Sequence, residues 1–180
     1  MVALIKRMLF VAAFLAAATA LGQGDRALEP QIKAAFLYKF GGFIEWPAAA
    51  FARADTPFSI GVLGADGVAA ELERVVTGRT VQGRAITVQR LKRGDPVTGL
   101  HLLFVGQPEA GRLPEILSAA KGLPLLVVTE TEDALTRGSM INFITVDDKV
   151  RFDVALPQAE RGQLRISARL LAVARKVITS

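Results

Sequence analysis

Few side chains in this sequence are equipped for chemistry. It holds one histidine, His101, and no cysteine, which excludes a multi-histidine metal site, a Cys-based zinc site and a thiol nucleophile. His101 lies in Leu100-His101-Leu102-Leu103-Phe104-Val105, and Ser139 in Arg137-Gly138-Ser139-Met140-Ile141. The serine lacks the glycine two positions on that a nucleophile elbow needs. With no triad partner in view, His101 reads as a structural histidine at a strand start. Glu130, Glu132 and Asp133 follow an apolar run over 123–128. Carboxylates at the C-terminal end of a parallel strand can hold Mg²⁺, Ca²⁺ or a small ligand, or act as acid and base. They can equally form the acidic first turn of the next helix. Gly61-Val62-Leu63-Gly64-Ala65-Asp66-Gly67 is a glycine-rich strand-to-helix turn. Its spacing is not the dinucleotide fingerprint, and Asp66 there repels an anion and suits a helix cap. Gly64, Asp66, Glu130 and Glu132 thus define one candidate ligand pocket at the strand ends. Asn142, inside Met140-Ile141-Asn142-Phe143, is either buried and hydrogen-bonded or on a wet face by alternation.

A second constellation is a surface. Arg151, Arg161, Arg165, Arg169, Arg175 and Lys176 make the C-terminal third basic. A series of this kind forms a solvated face or steers an acidic partner. Leu156, Pro157, Leu164 and Ile166 lie among these charges. Apolar residues rimmed by arginine make a protein-binding patch, or they plug the end of a sheet.

Positioning these groups requires a framework. Ile32, Phe36, Phe40 and Phe43 recur at helical spacing after Pro30, predicting an amphipathic helix that Gly41-Gly42 loosens and Pro47 stops. Residues 58–64 predict a buried strand and 67–76 a helix capped by Asp66. Residues 84–91 alternate, as a strand with one wet face does. The apolar runs 100–105 and 123–128 predict central parallel strands, with helices over 111–120 and near 131–136. Residues 139–145 and 149–156 predict a hairpin turning at Asp147-Asp148. Ser167 caps a last helix with Leu170, Leu171, Ala174 and Val177 inward. The predicted fold class is α/β: a single-domain open sheet, mostly parallel, with an antiparallel C-terminal hairpin at its edge and helices on both faces.

Composition sets the outer limits. The chain has 180 residues, 51% of them hydrophobic, which excludes a disordered chain. Lys6 and Arg7, the apolar run from Met8 to Ala18, and Ala18-Thr19-Ala20 have the order of a secretory signal peptide. The run is too short to span a membrane. The expected layout is a signal peptide over 1–20 cleaved near Ala20, a flexible start over 21–30, and one domain over 31–180. Removing 1–20 leaves 20 basic residues against 17 acidic, a net charge of +3. With export and no clustered basic run, nucleic acid is not an expected partner.

Several stretches together resemble a known family. Ile32-Lys33-Ala34-Ala35-Phe36-Leu37-Tyr38-Lys39-Phe40, with Phe43-Ile44-Glu45-Trp46-Pro47, is similar to the opening helix motif of YfiR-like periplasmic proteins. Residues 58–66 resemble that family's first strand and turn. Gly138-Ser139-Met140-Ile141-Asn142-Phe143, Val150-Arg151-Phe152-Asp153-Val154 and Leu164-Arg165-Ile166-Ser167-Ala168-Arg169-Leu170-Leu171 resemble its closing hairpin and helix. The resemblance implies a non-catalytic periplasmic regulator without a cofactor. Such a protein binds the periplasmic part of an inner-membrane diguanylate cyclase, is antagonised by an outer-membrane lipoprotein, and is commonly a dimer. It places partner contact on Leu156, Pro157, Leu164, Ile166 and Leu171, and the charge series puts Arg165 and Arg169 at the rim of that patch. The founding branch senses redox state through cysteines, which this chain lacks.

Overall fold

Apolar runs alternating with helical segments become one eight-stranded sheet in the computed structural model, which describes residues 28–180. The expected signal peptide lies outside the described residues. Helix α1 covers 28–43 and strand β1 Ile44–Glu45. Then come β2 (Phe58–Leu63), α2 (Asp66–Val76), β3 (Thr80–Val81), β4 (Arg84–Leu91), β5 (Leu102–Val105) and α3 (Leu113–Ala120). The chain continues with β6 (Leu126–Thr129), α4 (Ala134–Arg137), β7 (Ile141–Val146), β8 (Lys149–Ala155) and α5 (Leu156–Arg161). It ends with β9 (Arg165–Ile166), α6 (Ala168–Leu171) and β10 (Lys176–Ile178).

The large sheet has the order β10-β8-β7-β6-β5-β2-β4-β3. Only the β7–β8 and β3–β4 pairs are antiparallel. β5 and β6 are wholly buried, as strands covered on both faces must be. Their side chains alternate between two cores. Leu102, Phe104, Leu126 and Val128 face α1 and α2, whereas Leu103, Val105 and Val127 face α3 and α4. Helices therefore cover both faces, as alternation of strand and helix requires. Asp147 and Asp148, at φ 49° and 56°, make the two-residue hairpin turn that joins β7 to β8.

Four local expectations are corrected. The inward stripe of α1 is Ala34, Leu37 and Phe40, while Ile32 is 38% exposed, so the buried face is rotated from the predicted one. The helix also continues through Gly41-Gly42, because its last turn is packed, Gly41 lying against Val81 and Phe58. Asp66 is the first helical residue of α2, not its cap; Ala65 holds the cap position, with no side-chain bond to the helix. The last helix is a single turn. Ser167 caps it by accepting from the Leu170 amide, but Val177 belongs to β10, which pairs in parallel with β8 and takes the sheet edge from the hairpin. Arg175 anchors that strand: its guanidinium grips the buried Asp153 carboxylate through two nitrogens, and its amide donates to Phe152 O.

α1 is fastened to the sheet by aromatic rings. Phe40 stacks on Phe143 at 5.8 Å between centroids and meets Phe152 edge-on at 5.1 Å. Phe36 meets Phe152 at 5.4 Å in the same way. Such pairs add to the burial of the rings themselves. Phe40 is fully buried, so Phe40→Ala leaves a cavity under α1, and urea denaturation should show a loss of about 3–5 kcal/mol. A loss below about 1 kcal/mol would mean that the cluster collapses without it.

Candidate functional site

The C-terminal face is built by the segment that follows β8. Leu156 and Pro157 open α5, where proline suits the first turn. β9 pairs antiparallel with β1, setting Ile166 opposite Ile44 and Arg165 opposite Glu45. The Ser167 amide donates to Phe43 O at 3.0 Å, so this segment is stitched to the end of α1. Leu156, Pro157, Ile166 and Leu171 are partly buried, and Arg165 and Arg169 are exposed. Leu164 is 1% exposed and belongs to the core. Val173, absent from the sequence-derived set, is 65% exposed two residues beyond Leu171. Beside this surface, Trp46, Pro47, Glu160, Gln163, Leu164 and Arg165 line a cleft of about 530 Å³. Trp46 is fixed there by its indole N–H, which donates to His101 O at 3.2 Å, and by an edge contact on Phe58. The cleft depends on a loop meeting α5 and β9 from far along the chain, which no local spacing reveals.

The strand ends do not bring Gly64, Asp66, Glu130 and Glu132 into one pocket. β2 leads to one side of the sheet and β5 to the other, the point at which open α/β sheets leave a ligand crevice. Here the chain fills that crevice itself. A Cβ on Gly106 would meet Gly64 O at 2.4 Å, so the two turns lie in direct contact. Gly64, at φ 70°, packs beneath the side chain of Glu109, which is buried and pairs with Arg93 and Arg112. Asp66 is exposed at the start of α2.

Glu130 and Glu132 instead line a cleft of about 490 Å³ with Glu29, Lys33, Thr131 and Asn142. Lys33 is buried with its ammonium between the carboxylates of Glu29 and Glu130. Burial alone pushes its pKa down, but hydrogen bonds to Glu130 and Glu29 outweigh that and hold it above the ordinary lysine value. Glu130 also accepts from the Gln107 amide at 2.9 Å. It therefore ties β6 to α1 rather than opening a helix. Asn142 is 7% exposed, and its Oδ1 accepts from Thr129 Oγ1 at 2.6 Å and from the Thr131 amide at 3.1 Å. This is the satisfied state that a buried amide requires. Ser139 is buried too; with the Thr129 proton given to Asn142, the Ser139 hydroxyl has Thr129 Oγ1 at 2.9 Å and Ile141 O at 3.0 Å as alternative acceptors for its single proton.

His101 is 2% exposed and fully engaged. Its Nδ1 accepts from the Ser59 amide at 3.0 Å, which leaves Nε2–H to donate to Ala50 O at 3.0 Å. The ring stacks between Phe51 and Phe58. Burial pushes its pKa below the usual histidine value, against the pull of the Ala50 carbonyl and with help from the nearby Arg84 charge. A proton on Nδ1 would oppose the Ser59 N–H. The unfolded chain therefore binds more protons at mildly acid pH, and stability rises with pH through that window. The contribution is complete above about 6.5, the unfolded value, and is lost as pH falls toward the lower folded value. Thermal unfolding between neutral pH and pH about 5 should show wild type losing stability that His101→Gln does not lose. Parallel curves for the two proteins would contradict this assignment.

Comparison with known proteins agrees with the sequence motifs. A family model described as YfiR/HmsC-like matches residues 30–175. No curated protein matches the sequence. Among solved structures, the chain is similar to a "conserved domain protein" of Vibrio cholerae O1 biovar eltor, with 13% identity and a TM-score of 0.47. That match covers 66% of this chain and 54% of the other, so this chain spans about half the length of that relative. The family match begins on the first turn of α1 and ends beside β10, taking in the aromatic cluster, the hairpin and the C-terminal face; the chain belongs to the YfiR/HmsC-like family.

Proposed function

We propose that this protein is a periplasmic regulator that binds an inner-membrane signalling protein, most specifically a diguanylate cyclase, and holds it inactive. Cyclic-di-GMP and biofilm formation would then follow the state of the envelope, with an outer-membrane lipoprotein as the competing ligand. Membership of the YfiR/HmsC-like family carries this reading. The first twenty residues have the pattern of an export signal. No helix among the described residues is long and apolar enough to cross a membrane. The side chains of His101, Ser139 and Glu130 are each engaged in bonds that hold the fold together. None of them forms the nucleophile–base pair that covalent catalysis needs.

The contact surface in this reading is the C-terminal face. Leu156, Pro157, Ile166 and Leu171 supply partly exposed apolar area beside the more exposed Val173, with Arg165 and Arg169 at the rim. A few apolar anchors ringed by polar groups are the usual source of binding energy in such contacts. Inhibition requires the regulator to favour the inactive cyclase. Moving a cyclase from almost wholly active to almost wholly inactive takes a preference of about 10⁴-fold between the two states. A competitor that covers the same face releases the cyclase by mass action.

The test is capture of the cyclase's purified periplasmic domain, measured by biolayer interferometry. Ile166→Asp and Leu171→Asp should each weaken binding by roughly 30-fold or more. Val173→Asp and Arg169→Glu probe the same face from exposed positions that leave the core intact. Undiminished capture by all four folded variants would remove the C-terminal face from the account. No capture by wild type would remove the cyclase as partner.

A further inference from the structure

A groove of about 1090 Å³ lies where α3, α4 and α5 approach one another. Sites for small molecules run to roughly 300–1,000 Å³, so it is large enough to enclose most of one. Pro114, Leu117, Leu123 and Met140 give it an apolar lining. Its charged lining residues are Lys121, Arg137 and Arg161, and no carboxylate lines it. Nine ion pairs form among the described residues, and none of them uses any of these three cations. Arg161 donates only to the neutral Gln158 side chain, at 3.0 Å. Much of the molecule's other positive charge is matched locally, as in the Arg90–Glu73, Arg112–Glu115 and Arg175–Asp153 pairs.

Helix geometry explains part of this arrangement. Lys121 is the C-cap of α3, and Arg137 and Arg161 are the last residues of α4 and α5. A cation is favoured at a helix C-terminus, but that end carries only about half a negative charge, and less in a helix of one or two turns. Three full positive charges therefore leave the groove positive. A neutral apolar occupant has no use for three cations, and a small inorganic anion has no use for the apolar lining. Both features suit a molecule with an anionic head and an apolar body.

We infer that this groove binds an amphipathic carboxylate of the fatty-acid class, its chain on Pro114, Leu117, Leu123 and Met140 and its head among Lys121, Arg137 and Arg161. The site is separate from the proposed cyclase contact and does not depend on it. The two meet in α5, which begins with Leu156 and Pro157 on the C-terminal face and ends with Arg161 at the groove.

Titration calorimetry on the purified exported protein tests this with three probes of equal chain length: decanoate, decanol and decylamine. Decanoate should bind one to one, and about tenfold or more tighter than either of the others. Two variants separate lost contacts from lost fold. The Arg137→Ser/Arg161→Ser double variant removes charge from exposed positions, and Ser118→Trp fills the groove from its exposed wall. Each should weaken decanoate by about tenfold or more while leaving the thermal midpoint near that of wild type. The inference is overturned if decanoate does not bind, if decylamine or decanol binds as tightly, or if both variants bind as wild type does. It is equally overturned if sedimentation shows a dimer that Ser118→Trp abolishes, because the groove would then hold a second copy of the chain.

Discussion

The docking of α1 onto the sheet through Phe36 and Phe40 is the contact on which the other arrangements depend. These rings meet Phe143 and Phe152, one on each strand of the C-terminal hairpin, so a helix from the start of the chain is locked to strands from its end. Two further connections follow from that placement. At the start of α1, Lys33 reaches Glu130 beyond β6. At its end, β1 pairs with β9, and Phe43 O takes the Ser167 amide. The C-terminal face is thus not a trailing segment. It is a short run of chain held on both sides, by β1 and by the Arg175–Asp153 contact that fixes β10. A surface held in this way loses little conformational freedom on binding, and that loss is one of the main costs of association.

The polar interior is arranged for stability. Lys33, Glu109, Asp153, His101 and Asn142 are all buried, and each has a named partner. Leaving any of them unpaired would cost far more than the pair contributes, so these contacts restrict how the elements can pack. The crevice at which many open α/β sheets bind a ligand is closed by the Gly64–Gly106 contact and by Glu109. The two surfaces proposed for binding, the C-terminal face and the groove between α3, α4 and α5, both lie away from that crevice.

Much of the framework was legible in the sequence because local signals and burial agree there. The apolar runs at β5 and β6 have the composition that two-sided burial demands, and Asp147-Asp148 supplies two residues that tolerate positive φ. β10 was not legible. Val177 falls in helical register with Leu170, Leu171 and Ala174, and only pairing with β8 makes its segment a strand. The rotation of α1 escaped for a related reason. Ala34 and the stem of Lys33 are buried while Ile32 is exposed, and an apolar count scores those residues the other way round. At the candidate sites, the residue types were visible but their company was not. Glu130 finds Lys33 across 97 positions, Leu164 is drawn from the arginine-rimmed patch into the core, and the Trp46 cleft needs elements that only the fold brings together.

The central claim is that an exported protein restrains a membrane cyclase by binding it. Cellular cyclic-di-GMP in a strain lacking this chain tests that claim most directly, with one copy restored in full and another restored without residues 1–20. The account predicts a rise in cyclic-di-GMP on deletion that the full copy reverses and the leaderless copy does not. An unchanged or lower level on deletion, or equal reversal by the leaderless copy, would contradict it.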